Sequence, residues 1–453
     1  MLPQSDRIGK PRNGRPRGPD RSHGHYPGDM TMQRKTRSTT ISAALLAGTL
    51  ALALTGCQQG SGGEDRTLSV WLPPFAAEGA EKGDLALWQD IVAPFAEEHD
   101  VKVDITIVPW ESFETRFLTG FSSGDGPDLG YMYAEMIGDY ISRGQLASYE
   151  PYLEDADTDA FHFLDQGLYD GDQYGLPIVV GGARVVFYNN ALLSEAGITT
   201  PPETWDDLVD AALQVEQNTD TTGLAMAWGE GGIGVMAENY VNFLWQAGGE
   251  LVNEDGTAAA FNSDAGLKAA QFISDLRFEH GLLAENTTAM NRAELQAAFA
   301  AGEVAFAFGN DGDAPAYQEA GLDIGAVVLT DEEQYSFVAT DVLVMAESSK
   351  NKELATELAL FMLSGPSMDS FNSIADYPPI SSEQTSDVNP LFADLYSTEA
   401  EILRQYPAVP NSSVVYTSLY ENLQQMLLGQ KTPQEALAAA ESAANEALAQ
   451  NAK

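Results

Sequence analysis

Cysteine and positive charge are both scarce in this chain. Cys57 is its single cysteine, so an internal disulfide is excluded. Lysine and arginine together number 23 against 67 acidic residues, which gives a formal net charge of -44. Phosphate backbones and anionic lipid headgroups are bound by clustered lysine and arginine, and an acidic surface repels them. Nucleic acid is therefore excluded as a partner, and most of the carboxylates are interpreted as a solvated surface.

Histidine is also scarce, and the common catalytic motifs are absent. The five histidines are scattered: His23, His25, His99, His162 and His280. The sequence has no H-E-x-x-H, no G-x-S-x-G and no glycine-rich phosphate loop. We therefore expect no metal site, no cofactor and no catalytic residue. Two carboxylates in a cleft can nevertheless hydrolyse glycosides at a suitable separation, which a sequence does not give, so a glycoside-acting enzyme stays open as an alternative.

A long apolar run occurs only near the N-terminus. Residues 41–54 follow a basic stretch with Arg34, Lys35 and Arg37, and Thr55-Gly56-Cys57 comes next. This order predicts a bacterial export signal with a lipobox, and the run is shorter than the roughly 20 residues of a membrane span. We expect residues 1–56 to be an N-terminal extension and signal peptide. Lipid on Cys57 would then anchor the exported protein to the outer face of the cytoplasmic membrane. An ordinary signal peptide or a short anchor helix is the alternative.

The chain after Cys57 predicts a tether followed by an α/β protein. Residues 57–66 are rich in glycine and polar residues and predict a flexible tether. The rest is too long for one ordinary core and suits two lobes. Apolar periodicity predicts strands at 68–72, 101–108 and 129–133, with helices at 84–98 and 112–122 between them. This alternation is typical of a parallel α/β sheet.

A second α/β run follows the strand predicted at 183–188. Thr204 is the predicted N-cap of its main helix, because Asp206 and Asp207 suit the positive end of the helix dipole. Later segments are mostly helical, at 240–247, 265–279, 291–301, 352–363, 416–428 and 433–450. Further strands are predicted at 304–308, 324–328 and 342–346.

Several strings, taken in order, resemble the extracellular solute-binding proteins of ABC importers, in particular the maltose-binding-protein-like lipoproteins that bind sugars. They are LSVWL (68–72), GDGPDLGYMYAE (124–135), YGLP (174–177), VVFYNNALLSEAGITTPPETWDDL (185–208), FAAGEVAFAFGN (299–310), SKNKELATELALFML (349–363) and GQKTPQEAL (429–437). The resemblance implies a two-lobed periplasmic-binding-protein-like fold of type II. It also implies a monomer that delivers its ligand to ABC permease subunits in the membrane.

The resemblance also implies that the chain crosses between the two lobes more than once. Residues 67–181 would form the first lobe, with about 338–400 returning to it, and residues 182–337 the second, with about 401–453. Gly181 and Gly182 are the predicted hinge, and paired glycines independently suit a hinge because they absorb backbone rotation at little steric cost. A simple loop is the alternative interpretation of this glycine pair.

Aromatic residues follow the ends of several predicted strands. They are Phe75, Trp110, Tyr133 and Trp228. An open α/β sheet presents its ligand cleft at the carboxyl ends of its strands, and flat rings suit the apolar faces of a sugar. Each of these aromatics is a candidate platform for a sugar, although burial in a core is an equally good interpretation for each.

The polar site residues are candidates mainly through the resemblance. Glu135 occupies the place at which maltodextrin binders offer an acidic residue to sugar hydroxyls, and Glu111 beside Trp110 is a second acidic candidate. Further candidates are Arg184, Glu238, Asn239, Tyr240, Asn310, Asp311, Asp341 and Tyr377. Asn310 and Asp311 stand where the sugar binders commonly have an aromatic. Arg184 near the first crossover suits either an acidic sugar or an ion pair with a nearby carboxylate.

The function expected from the sequence is the lipid-anchored capture of a sugar or oligosaccharide by hinge closure. Aromatic walls with carboxylates also suit polyamines, because cation–π contacts and ion pairs then replace ring stacking and hydroxyl bonds. A binding protein for a polyamine or another small cationic solute is therefore the main alternative.

Overall fold

The computed structural model describes residues 66–76, 82–154, 156, 158–229, 236–375, 377–386 and 388–449. The side chains of Glu111, Glu114, Ala237 and Glu238 are not described. The predicted signal peptide, the predicted lipidation site Cys57 and almost all of the predicted tether therefore lie outside the described residues.

The described strands form two main sheets and two short ribbons. The strands are β1 (Thr67–Leu72), β2 (Lys102–Ile107), β3 (Leu129–Tyr133), β4 (Leu146–Ala147), β5 (Leu168–Tyr169), β6 (Asp172–Gln173), β7 (Gly175–Gly181), β8 (Arg184–Asn189), β9 (Thr222–Ala225), β10 (Val304–Asn310), β11 (Ile324–Val327), β12 (Ser336–Phe337), β13 (Ala339–Ala346) and β14 (Leu403–Arg404).

Helices cover both sheets. They are α1 (Asp84–Glu98), α2 (Phe113–Ser123), α3 (Ile137–Ile141), α4 (Glu150–Leu153), α5 (Asn190–Glu195), α6 (Trp205–Asn218), α7 (Asn242–Gln246), α8 (Asp264–Phe278), α9 (Arg292–Ala300), α10 (Ala314–Glu319), α11 (Lys352–Met362), α12 (Gly365–Ala375), α13 (Ser412–Leu427) and α14 (Pro433–Ala449). Short turns of other helix types include Trp110–Ser112, Ala134–Met136, Ala237–Val241 and Asp311–Asp313. No helix among these described residues is long and apolar enough to cross a membrane.

The first sheet has the order β2-β1-β3-β13-β4, and β7 also pairs with β13. Strands β1, β2 and β3 are parallel, as predicted, because helices α1 and α2 connect them. Strand β13, which comes later in the chain, runs antiparallel to β3, β4 and β7. The result is a mixed sheet whose first three strands end at the same edge.

The core of the first sheet follows from simple periodicity. Alternate residues of β1, Leu68, Val70 and Leu72, are fully buried. Helix α1 covers the sheet with Trp88, Ile91 and other apolar residues at helical spacing. The helix predicted at 84–98 is confirmed at those limits.

The second sheet has the order β11-β8-β10-β9, in which only β9 and β10 are parallel. A separate hydrophobic core lies on this side of the chain, and helices α6, α8, α13 and α14 contribute to it. Helix α6 begins at a capping box: the Thr204 hydroxyl accepts from the Asp207 N–H, and the Asp207 carboxylate accepts from the Thr204 N–H. The N-cap predicted at Thr204 is therefore confirmed.

The chain passes between the two sheets at neighbouring points. Strand β7 ends in the first sheet at Gly181, and β8 begins in the second at Arg184. Strand β12 precedes β13 and pairs in parallel with β14, which leads toward α13. Gly182 has φ +67°, a left-handed conformation that favours glycine. The lobe limits expected from the resemblance stay a prediction.

Candidate functional site

A cavity of about 480 Å³ opens where the chain passes from β7 to β8. Its wall is formed by residues of both sheets and of the segment after α12: Val179, Gly181, Gly182, Arg184, Asn310, Asp311, Gly312, Ala339, Asp341, Ala375, Tyr377, Pro378, Val388, Asn389 and Phe392. Five of the candidate polar or aromatic residues, and both hinge glycines, are thereby brought together. A volume of this size accommodates a small organic ligand.

An aromatic cluster lies beside this cavity. We use that name for Phe75, Trp110, Tyr131, Tyr133 and Tyr377. The Phe75 ring makes edge contacts with Trp110, Tyr131 and Tyr377 at centroid distances of 6.2, 5.5 and 6.3 Å. Trp110 and Tyr133 are parallel, with centroids 6.2 Å apart. The parallel strands β1, β2 and β3 end at one edge, and this is why residues far apart in sequence meet here.

Trp110 is the exposed member of the aromatic cluster. Its side chain is 41% exposed, and its indole N–H donates to the carbonyl of Pro74 at 2.9 Å. A tryptophan held in this way presents an apolar face to solvent with its polar atom already satisfied. It is therefore suited to stacking against an apolar ligand face.

Asp341 forms the buried acidic side of the cavity. It is 9% exposed and accepts a hydrogen bond from the Tyr131 hydroxyl. The pairing of β13 with β7 shifts register between Asp341 and Val342, and such irregularities re-aim side chains. Burial raises the pKa of Asp341 to about 8, and the charge of Glu135 adds to the rise, while the bond from Tyr131 opposes it.

Glu135 follows β3 and is half-buried. Burial raises its pKa to about 7. Its carboxylate also acts on Tyr416 of α13, whose pKa is raised mainly by burial and secondly by the charge of Glu135. Glu135 is thus within electrostatic reach of Asp341 on the first sheet and of Tyr416 in the core around the second.

Arg184 and Asp311 form the opposite side of the cavity. Asp311 accepts from the Tyr396 hydroxyl at 2.5 Å, and Tyr396 in turn accepts from the Ala183 N–H at 3.1 Å. Burial raises the pKa of Asp311, and the positive charge of Arg184 counteracts part of this rise. The Arg184 guanidinium also lies 5.0 Å from the Phe337 ring centroid and donates to the carbonyl of Gly182. The sequence left two roles open for Arg184, contact with an acidic sugar or pairing with a nearby carboxylate. The structure shows such a carboxylate, Asp311, within electrostatic reach of Arg184.

Asn310 lines the cavity but uses its side chain locally. Its Oδ1 accepts from the Gly312 N–H at 3.0 Å, which caps the short helix Asp311–Asp313. The side chain is 8% exposed. Its contribution to the cavity is therefore mainly to hold the Asp311 segment in place.

The structure places Trp228, Asn239 and Tyr240 away from the cavity, which corrects the expectation that they contact a ligand. Trp228 and Tyr240 have no exposed surface, and Asn239 is 1% exposed. Trp228 stacks on Tyr420 of α13 with centroids 6.4 Å apart. The Tyr240 hydroxyl donates to the carbonyl of Gly266, and the Asn239 amide donates to that of Ala227. These residues pack the second core because α13 covers the end of β9, which a local sequence pattern does not reveal.

Two acidic candidates, Glu111 and Glu238, have side chains outside what the structure describes. Among the described residues, no group of three or more histidine, cysteine, aspartate or glutamate side chains is arranged to hold a metal ion.

Sequence reasoning missed several contributors to the site, and three of them lie in one segment. Asn389 and Phe392 line the cavity, and Tyr396 holds Asp311. All three lie between α12 and β14, where no regular element and no motif is recognisable. Tyr416 could have been suspected, since it lies on a predicted helix, but only the fold brings it near Glu135.

Two known sugar-binding proteins resemble this chain over different shares of its length. The galactooligosaccharide-binding protein of Bacillus subtilis (strain 168) is 24% identical over 397 residues, which cover 80% of this chain and 89% of that protein. The diacetylchitobiose binding protein DasA of Streptomyces coelicolor is 28% identical over 192 residues, 42% of each chain.

Solved structures share the fold. An ABC transporter solute-binding protein of Thermotoga lettingae bound with alpha-D-tagatose superposes with a TM-score of 0.65 at 25% identity, covering 84% of this chain and all of that one. The cyclic alpha-maltosyl-1,6-maltose binding protein of Arthrobacter globiformis gives a TM-score of 0.68 at 20% identity, covering 85% and 99%. These likenesses confirm the two-lobed α/β architecture predicted from the sequence.

A match to a family profile shows which family the chain belongs to. The profile of the bacterial extracellular solute-binding proteins matches residues 79–367, well over half of the chain. This match bears out the resemblance drawn from the ordered strings of the sequence. The chain belongs to the bacterial extracellular solute-binding protein family.

Proposed function

We propose that this protein captures a sugar or short oligosaccharide and delivers it to the permease of an ABC importer. The observation that carries the proposal is the cavity between the two sheets. It combines ring faces at Tyr377 and the adjoining aromatic cluster with the carboxylates of Asp311 and Asp341. Rings cover the apolar faces of a pyranose and carboxylates accept from its hydroxyls, so both requirements of a saccharide are met in one place.

Closure of the cleft follows from the position of the cavity. A ligand that touches residues of both sheets stabilises the closed arrangement more than the open one, and the population shifts accordingly. Gly181 and Gly182 act as the hinge in this proposal. The ligand is bound and released without a covalent step, so the protein is a binding component and has no catalytic residue.

The site of action follows from the N-terminal sequence. A lipid on Cys57 and the tether up to residue 66 keep the protein at the outer face of the membrane, near its permease. The anchored protein acts as a monomer in this proposal. Mass spectrometry of the protein from its native membrane tests the anchor: an N-terminal diacylglyceryl-cysteine is expected, and a chain beginning at another residue without lipid contradicts it.

Isothermal titration calorimetry tests the ligand class. We expect saturable heat from at least one member of a panel of monosaccharides and oligosaccharides, and a ligand recovered intact after incubation. Saturable heat from spermidine, abolished by salt and absent with every sugar, contradicts the proposal in favour of the polyamine alternative. Recovery of cleaved oligosaccharide contradicts it in favour of an enzyme.

A further inference from the structure

Asp341 has a second carboxylate oxygen that receives no hydrogen bond from the described part of the chain. Tyr131 donates to Oδ2, and no described residue donates a hydrogen bond to Oδ1. The side chain is nine-tenths buried and lines the cavity. A carboxylate desolvated to this degree needs donors or a positive charge on each oxygen to be stable in its ionised form. The cavity is therefore the place from which such a group would come.

Among the described residues, no positive charge offsets that of Asp341. Arg184 acts on Asp311, which lies on the second sheet. The groups that act on Asp341 from the surrounding elements are Tyr131 and Glu135, and Asp341 in turn acts on Tyr377. These are hydroxyl groups or acids, so the described surroundings of Asp341 contain two carboxyl groups and no cation that offsets them.

Tyr377 lines the same cavity as Asp341. Burial raises its pKa to about 12, and the charges of Asp341 and Asp311 add to the rise, so its hydroxyl lies within electrostatic reach of both carboxylates. Gly181 lies against the same ring: a Cβ there would be 3.2 Å from Cδ1 of Tyr377. An ammonium group is attracted both by a carboxylate and by the face of an aromatic ring.

We propose that the ligand is an amino sugar with a free amine, and that its ammonium group binds Asp341 Oδ1 beside Tyr377. This inference rests on the proposed function, because it names the class of sugar that the cavity takes. The sugar ring then contacts the aromatic cluster, while the ammonium supplies the positive charge that the first sheet lacks at this point. An N-acetylated sugar or a neutral sugar has no charge to offer here.

Proton release distinguishes this binding mode from the binding of a neutral sugar. Near pH 7 Asp341 is largely protonated in the free protein, since its pKa is about 8. An ammonium at hydrogen-bond distance favours the ionised carboxylate, so the proton is released when the amine binds. A neutral ligand leaves the proton in place.

The test is calorimetry near neutral pH with matched ligands. The sets are glucose with glucosamine and N-acetylglucosamine, galactose with galactosamine, and cellobiose with chitobiose and diacetylchitobiose. Each set keeps one sugar skeleton and changes the group at C2. We expect the free amine to bind about tenfold or more tightly than its neutral counterpart in at least one set, with proton release seen by comparing buffers of different ionisation enthalpy.

Two variants test whether the preference for the amine depends on Asp341. Asp341→Asn should remove the advantage of the amine and the proton release, while Asp323→Asn, an exposed carboxylate outside the cavity, should leave both unchanged. Neutral or acetylated sugars that bind as tightly as the amines in every set overturn this inference and leave the proposed function standing. Absence of binding by every member of all sets also overturns this inference, and the proposed function is contradicted only if the wider panel of saccharides fails as well. If Asp341→Asn does not fold, the affinities of the wild-type protein for the matched ligands are enough to test the inference.

Discussion

Glu135 is the carboxylate expected to contact a sugar from the end of β3. A carboxylate that accepts from sugar hydroxyls makes bonds of roughly 1.5–3 kcal/mol. Glu135→Ala should therefore weaken saccharide binding by about tenfold or more in a variant that still folds. Glu97→Ala, at an exposed position of α1, is the control and should bind normally. Normal affinity in Glu135→Ala would show that the ligand lies elsewhere.

Asp341 and Glu135 make the stability of the unliganded protein depend on pH. Burial raises their pKa values to about 8 and about 7, above the values of roughly 4 in an unfolded chain. The folded protein holds these protons more tightly, so the stabilisation is complete below about pH 4 and is lost as the pH rises through the folded values.

The free energy of unfolding should therefore fall as the pH rises from about 5 to about 8, by at most about 1.4 kcal/mol per pH unit for each group. Urea unfolding at a series of pH values measures this slope. Asp341→Asn should show a shallower slope than the wild-type protein. An unchanged slope in this variant would mean that Asp341 titrates normally.

Helix α6 depends at its first turn on Thr204. The reciprocal bonds between Thr204 and Asp207, both 3.1 Å long, satisfy backbone N–H groups that otherwise lack partners. Thr204→Ala should lower the free energy of unfolding by about 1 kcal/mol in urea titrations. Thr200→Ala, at an exposed position of the preceding loop, should change it by less than about 0.5 kcal/mol. Equal effects would contradict the role of the cap.

The connection between β7 and β8 contains the residue best suited to test the hinge. Gly182 has φ +67°, and a Cβ there would lie 2.9 Å from Nη1 of Arg184. Gly182→Ala should cost about 1–2 kcal/mol of stability and also change the affinity for the ligand. Gly144→Ala is the matched control, because Gly144 has φ +65° with open space around it. It should lose similar stability with unchanged affinity, and a change of affinity in both variants or in neither would argue against this hinge.

On the scale of the whole molecule, the sequence predicted most of the fold because its signals are local. Helix 84–98 has apolar residues at helical spacing, and the turn after α2 is rich in glycine. Strand β7 was missed, since its short apolar run contains Pro177 and lies next to a glycine pair. The antiparallel direction of β13 could not be predicted either, because strand pairing is decided by packing between residues far apart in the sequence.

The candidate site was predictable to the extent that it follows from strand ends. Phe75, Trp110 and Tyr133 meet because parallel strands end at one edge, and this rule can be applied to a sequence. Trp228 obeys the same rule but is buried under α13, which comes nearly 200 residues later in the chain. Asp341 and Asp311 were suggested by the resemblance, but their separate environments depend on Tyr131, Arg184 and Tyr396, which only the folded structure brings to them.

The central claim is that a sugar bound between the two sheets draws them together. Small-angle X-ray scattering of the protein, with and without a saccharide that gives saturable heat in calorimetry, tests it directly. The radius of gyration should decrease on saturation and return when the sugar is removed by dialysis. Scattering curves that are superimposable in the two states would contradict the account.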